Sequence, residues 1–138
     1  MSAFTDIRAA LEAEIASISG IPSAANRSWE NVEFDPTTGT AWVRMTLLPG
    51  QQRPAVAGPS PQQLYQGIMQ VDIYQPEGDG PNSADVLADA VRDHFTVNDS
   101  FTKNSTTVRI RWSERDAGRN EPPWYRVTVN VSWYTYRS

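Results

Sequence analysis

The residues that carry most nucleophilic and metal-dependent catalysis are scarce in this chain. It has one histidine, His94, and no cysteine, so a cysteine–histidine pair, a thiolate metal site and a disulfide are all excluded. His94 lies near the end of a predicted helix, where an imidazole is usually structural. The motifs of serine hydrolases, nucleotide-binding loops and zinc proteases are absent. We therefore predict no catalytic residues, no metal ligands and no cofactor.

Two acidic patterns could still support chemistry. The segment 77–85 is rich in Asp, Glu and Gly, but it lacks the alternating ligands and the final Glu of an EF-hand. We interpret it as a turn. A pair of carboxylates suited to glycoside hydrolysis could come together from distant strands, but the spacing singles out no pair.

The five tryptophans offer a second hypothesis, from the class of binding modules. If Trp29, Trp42 and Trp124 were exposed on a β scaffold, they could form a stacking platform for a sugar. Trp112 and Trp133 instead fall on the predicted core faces of their strands. The alternative function is therefore a carbohydrate-binding module.

Composition limits the partners of the chain. Its 138 residues suit a single domain, and the formal net charge of −4 provides no basic field for nucleic acid or anionic lipid. We find no predicted membrane span and no signal peptide. The basic residues are almost all arginine, since Lys103 is the one lysine among 12. Arginine is enriched at protein interfaces.

Two helices are predicted from apolar residues repeated every three or four positions. The first covers about residues 3–18, and the second covers about residues 82–95 with Asn82 as its N-cap. The apolar stripes are Phe4, Ile7, Leu11, Ile15 and Ile18 in the first helix, and Ala84, Leu87, Val91 and Phe95 in the second. Asp85, Asp89 and Asp93 form a like-charge row on the second helix, which a basic partner could relieve.

The remainder alternates with the period of β-strands. We predict a hairpin with arms at about 29–34 and 41–47, a central strand over 64–74, and a C-terminal hairpin over about 106–137. Between the first two elements, residues 49–63 are predicted to form a long exposed polar loop, a place where partners often bind. The order favours a single α+β domain, with a largely antiparallel or mixed β-sheet and two α-helices packed on one face.

The chain resembles the tail-terminator and minor tail-protein family of long-tailed bacteriophages and prophages over nearly its whole length. The residues that carry the resemblance are NVEFDPTTG at 31–39, WVR at 42–44, YQGIMQVDIY at 65–74, and ADVLAD at 84–89 in a helix ending at Phe95. A Pro/Gly loop and a closing hairpin complete the pattern. None of these motifs is catalytic.

The resemblance implies a virion protein of the head-proximal end of the tail, assembled in the host cytoplasm. Such a protein forms a homo-oligomeric ring, expected to be a hexamer, on the last ring of the tail tube protein. It ends tube polymerisation and joins the neck or head-completion protein. It would be no enzyme and would need no cofactor or membrane. A neck or head-completion protein of the same virion is the nearest alternative.

Candidate contact residues follow from the charges, the polar loop and the expected ring. Arginines could pair with the acids of the second helix of a neighbouring subunit, and the loop could touch the tube or the neck. Six copies of net charge −4 carry −24, so DNA would pass through an acidic lumen without specific binding. The predicted interface residues are Arg44, Gln51, Gln52, Arg53, Gln62, Gln63, Asp85, Asp89, Asp93, Arg109 and Arg111.

Overall fold

Two helices form as the apolar stripes predict. The computed structural model describes residues 2–55, 58 and 62–137, with helix α1 at Ala3–Ser17 and helix α2 at Asn82–His94. Every residue of the predicted α2 stripe is buried, and in α1 only Phe4 is partly exposed. The predicted cap of α2 is wrong: Pro81 is the N-cap residue and Asn82 is the first helical residue. Neither helix of the described part is long and apolar enough to cross a membrane.

Eight strands form one mixed, curled sheet. Its order is β1-β2-β4-β8-β6-β5, with β3 paired to β4 and β7 paired to β8. Only β1 and β2 run parallel. The predicted α+β class is confirmed. The strand predicted over 64–74 corresponds to β4 and lies inside the sheet, between β2 and β8, as predicted. The strands are β1 (Arg27–Ser28), β2 (Trp42–Pro49), β3 (Arg53–Pro54), β4 (Gln63–Pro76), β5 (Ser100–Lys103), β6 (Thr106–Arg115), β7 (Arg119–Glu121) and β8 (Trp124–Arg137).

The main core lies between the helices and one face of the sheet. It combines the stripes of both helices with alternate residues of β2, β4, β6 and β8. Trp133 is its largest fully buried side chain, and it lies over Gly67 of β4. A Cβ at Gly67 would clash with the Leu48 carbonyl oxygen and come within 2.8 Å of the Trp133 ring, so the close approach requires glycine. We call this the helix face of the sheet, and the opposite side the outer face.

The predicted N-terminal hairpin is wrong. Residues 29–41 contain no strand, and β2 pairs with β4 along its whole length. Trp29 packs against the core on the helix face, whereas the Phe34 ring packs against Trp42 of the outer face, with ring centroids 5.0 Å apart and the planes tilted by 34°. The chain therefore wraps around the β2 edge of the sheet, aided by the left-handed backbone of Asn31 (φ 58°).

The predicted polar loop is shorter than 49–63. Pro49 ends β2, Gln63 begins β4, and β3 pairs with the start of β4. A backbone hydrogen bond from the Ala55 amide to the Gln62 carbonyl, 2.7 Å long, continues this pairing. The segment is the tip of a long hairpin; positions 56, 57 and 59–61 of the predicted loop lie outside the described residues.

A β-bulge changes the face of the end of β6. Ile110 pairs with Trp133, but the next paired residue, Trp112, is opposite Ser132, so Arg111 is the extra residue. Trp112 is consequently 43% exposed on the outer face. The prediction that it belongs to the core is wrong, whereas that for Trp133 is confirmed.

Candidate interaction surfaces

The groups best suited to catalysis have structural contacts. The His94 imidazole lies 2.8 Å from a Glu14 carboxylate oxygen and stacks on Phe101, which ties α2 to α1 and to β5. Asp6 is fully buried and accepts hydrogen bonds from Asn104 and from Arg137. Across residues 2–55, 58 and 62–137, no group of three or more acidic or histidine side chains could hold a metal ion.

The predicted tryptophan platform does not form. Trp42 and Trp124 are buried, and the Trp42 ring is stacked on Tyr74 with centroids 3.9 Å apart. Trp29 is half-buried against the core on the helix face. Burial raises the pKa of the Tyr74 hydroxyl. These rings stabilise the outer face and leave no stacking surface for a sugar.

The acidic row of α2 is partly neutralised within the chain. Asp85 forms an ion pair with Arg115 of β6, whereas Asp89 and Asp93 are exposed. Asp93 lies beside Arg92 in a shallow depression next to Trp112. Pairing of these acids with arginines of a neighbouring subunit therefore stays a prediction, and Asp85 already has a partner.

Three predicted arginines lie on the outer face. Arg44, on β2, places its guanidinium 5.3 Å from the ring centroids of both Trp42 and Tyr74. Arg109 is exposed opposite Tyr134 in the register of β6 and β8. Arg44 is thus separated from Arg109 by the width of β4 and β8.

Arg111 is held in place by two contacts. Its guanidinium lies 4.7 Å from the centroid of the Tyr134 ring and donates a 2.9 Å hydrogen bond to Gln66. A cation stacked on an aromatic ring loses less conformational freedom on binding than a free side chain.

The bulge gathers aromatic and basic side chains into one surface, which we call the aromatic–arginine patch. Exposed Val97 lies between two depressions of about 330 and 390 Å³, the first lined by Trp112 and the second by Arg111, Tyr134 and Tyr136. Exposed aromatic residues beside arginine are typical of protein interfaces. The patch consists of Val97, Arg109, Arg111, Trp112, Tyr134 and Tyr136.

The chain that wraps the β2 edge forms a second surface, which we call the edge loop (residues 30–35). The Glu30 carboxylate accepts hydrogen bonds from the Leu47 amide at 2.7 Å and from Arg8 at 2.8 Å. Desolvation alone would raise the pKa of Glu30, but these two donors outweigh it and lower the pKa. Val32 next to it is 60% exposed.

The hairpin tip carries the remaining predicted contact residues. Gln51, Gln52 and Arg53 are exposed before and within β3, Gln62 is exposed, and Gln63 is half-buried at the start of β4. The structure therefore places the eleven predicted residues in four regions: the hairpin tip, helix α2, the aromatic–arginine patch and, for Arg44, the β2 side of the outer face.

Sequence reasoning missed most of both new surfaces. The acids of residues 30–35 are visible in the sequence, but the hairpin interpretation placed residues 30–34 in a paired strand and Asp35 in its turn. The signal for the patch was weaker, because no pattern in β6 marks the bulge that turns Trp112 outward. Of the six patch residues, only Arg109 and Arg111 were predicted.

An α+β domain with these surfaces, and with no catalytic cluster among its described residues, is typical of a structural subunit. The sequence profile of one family, described as phage tail terminator protein, matches residues 6–133. The chain therefore belongs to the phage tail terminator family and is a structural component of a phage tail.

Comparisons of structure agree on the fold. Six chains of known structure match, and one of them superposes with a TM-score of 0.74 at 23% sequence identity, covering 96% of this chain and 94% of the other. At that identity the likeness shows the fold alone. No curated protein sequence matches the chain.

Proposed function

We propose that this protein ends tail-tube growth by forming a ring on the last ring of the tube. The opposite side of the ring then joins the neck or head-completion protein. The observation that carries the proposal is the family match over residues 6–133. The exposed arginines and the hairpin tip support it, because they provide contact surfaces where the described residues provide no catalytic site.

The hairpin tip is the proposed contact with the tube or the neck. Its polar side chains, among them Gln51, Gln52 and Arg53, are exposed and outside both core clusters. Replacing residues 55–62 by a short turn, together with Gln51, Gln52 and Arg53 by serine, removes the exposed contact side chains of the tip while keeping the β3–β4 backbone pairing. We expect the shortened protein to retain its melting temperature and its ring but to yield no completed tails.

A matched control tests whether any shortened loop has this effect. The turn at residues 77–80 is also exposed and joins β4 to α2. Shortening it is expected to leave tail completion unchanged. Completed tails from the tip-deleted protein would show that the tip is only a connection.

Solution mass tests the ring itself. Sedimentation velocity over a concentration series, followed by negative-stain imaging of the largest species, should show a closed ring of six 15.4 kDa subunits. If closure needs the tube as a template, the same ring should appear on purified tail-tube ends and block their extension. A protein that neither forms rings nor binds tube ends would contradict the proposed function.

A further inference from the structure

The edge loop and the aromatic–arginine patch lie towards opposite edges of the sheet. The edge loop covers β2, whereas the patch lies on β6, the end of β8 and the turn before β5, with β4 and the body of β8 between them. A closed ring of identical subunits needs a head-to-tail contact between two different surfaces. We propose that the edge loop of one copy docks on the aromatic–arginine patch of the next; this inference rests on the proposed ring.

The two surfaces have opposite charge. Within the described residues, Glu33 and Asp35 of the edge loop have no hydrogen bond or ion pair, and Arg109 and Arg111 of the patch have no carboxylate partner. At the margin of the patch, Asp93 is offset by Arg92, and the Asp99 carboxylate accepts hydrogen bonds from the amide and hydroxyl of Thr96, which leaves Arg109 and Arg111 as the unpaired charges of the patch itself. Repulsion between like charges therefore disfavours contacts of loop with loop and of patch with patch. The favoured contact is head-to-tail, between the loop of one copy and the patch of the next.

Apolar side chains match as well. Val32 is 60% exposed at the middle of the edge loop, and Val97 of the patch is 61% exposed with a depression on each side. A valine side chain fits either depression by volume. Trp112 and the prepositioned Arg111 belong to the residue types that dominate binding energy at interfaces.

The backbone of the β2 edge is already occupied. Strand β1 pairs with Val43 and Arg44, and the Glu30 carboxylate accepts the Leu47 amide. A neighbouring copy cannot readily extend the sheet here, so docking must use side chains. This arrangement gives Arg109 and Arg111 the acids of the edge loop as partners, in place of those of α2.

Charge exchange between the surfaces tests the inference. The loop variant carries Glu33→Lys and Asp35→Lys, and the patch variant carries Arg109→Glu and Arg111→Glu. Each variant alone brings like charges together at every contact, so we expect complete loss of rings from each. In an equal mixture every contact is again between opposite charges, and rings should return with the variants alternating and with an even number of subunits.

If rings form only on the tube, cross-linking can still test the contact between edge loop and patch. The chain has no cysteine, so Val32→Cys and Val97→Cys each introduce a unique thiol. With a short bis-maleimide, the mixture of these two variants should give heterodimers, whereas neither variant alone should cross-link to itself. Val86→Cys is the control: it is 61% exposed on α2, belongs to neither surface, and should cross-link with neither.

The outcomes separate the two proposals. If the wild type forms rings and both charge variants alone form them too, the docking of loop on patch is overturned and the ring function stands. The same conclusion follows if the mixture of the two variants fails to restore rings. Self-cross-linking of Val32→Cys would also overturn it, since this requires a symmetric contact. Heterodimers from the Val32→Cys and Val97→Cys mixture support the docking even if tube capping is absent, which would count against the proposed function alone.

Discussion

At the scale of single residues, Asp6 is the most deeply buried acid among the described residues. Its carboxylate is fully buried and accepts hydrogen bonds from Asn104 and Thr106, and it forms an ion pair with Arg137 of the last strand. The contact joins the first turn of α1 to the end of β8. It fixes both ends of the described chain to one point of the core.

Replacing Asp6 by alanine should therefore destabilise the protein strongly. The change takes the acceptor away from the buried Thr106 hydroxyl and removes the ion pair with Arg137, and we expect a loss of about 1–3 kcal/mol in the free energy of unfolding. Urea denaturation followed by circular dichroism measures it. Asp79→Ala, in an exposed turn, is the control and should change stability by less than about 0.5 kcal/mol. An Asp6→Ala variant as stable as the control would show that the buried contact contributes little.

Glu30 makes the edge loop sensitive to acid. Its pKa lies below the ordinary value of 4.5, so the carboxylate contributes stability above pH 4.5, and this contribution is lost as pH falls through the lower folded pKa. An NMR titration of the Leu47 amide should show a midpoint below 4.5. The Glu30→Gln variant should lack the transition, and a wild-type midpoint at or above 4.5 would contradict the two hydrogen bonds to the carboxylate.

The residue types in the sequence allowed structural roles to be predicted, but they did not allow the exposure of individual side chains to be predicted. The interpretation of His94 as structural agrees with its contact to Glu14, because a helix end favours such a role. The burial of Trp42 and Trp124 was not predictable, since it depends on ring contacts across β2, β4 and β8. Alternation assigns a residue to one face but does not say what covers that face.

At the scale of elements, helices were predicted well because their stripes are long and periodic. Both helices end within one residue of the predicted limits. The hairpin at 29–47 failed because two alternating apolar residues and a turn signal are too little to distinguish a strand from a loop that wraps a sheet edge. The bulge in β6 was missed for a related reason, because a single extra residue in a strand leaves no recognisable pattern in the sequence.

The bulge makes a prediction for tryptophan fluorescence. Trp112 is 43% exposed, whereas Trp42, Trp124 and Trp133 are buried and Trp29 is half-buried. Trp112→Phe should therefore remove most of the emission that acrylamide quenches and shift the remaining spectrum to shorter wavelength. Trp133→Phe serves as the comparison, because it should leave the quenchable fraction in place. Equal quenching of the two variants would contradict the position of the bulge.

At the scale of the whole molecule, the net charge predicts behaviour towards DNA. Each chain has a formal charge of −4, and the exposed arginines are dispersed between the patch, α2, β2, β7 and the hairpin tip rather than forming one basic surface. We expect no measurable binding of duplex DNA at physiological salt by fluorescence anisotropy. Binding that weakens steeply with added salt would reveal a basic surface and contradict this prediction.

The fold class could be predicted from the sequence, whereas the side-chain contacts that shape the surfaces could not. Element order and composition indicated one α+β domain with a mixed sheet, and the structure confirms that class. Which edges of the sheet remain open depends on contacts such as Glu30 with Leu47, which are distant in sequence and involve side chains. Surfaces between subunits are therefore the part of the molecule that a single sequence reveals least.

The occupied β2 edge has a consequence for the supply of subunits. A free row of backbone donors and acceptors invites strands of other copies to add without limit, which is the start of aggregation. Here β1 and the Glu30 carboxylate occupy that row within the subunit. At this edge, therefore, folded copies do not add to one another strand by strand before a tube is ready to receive them.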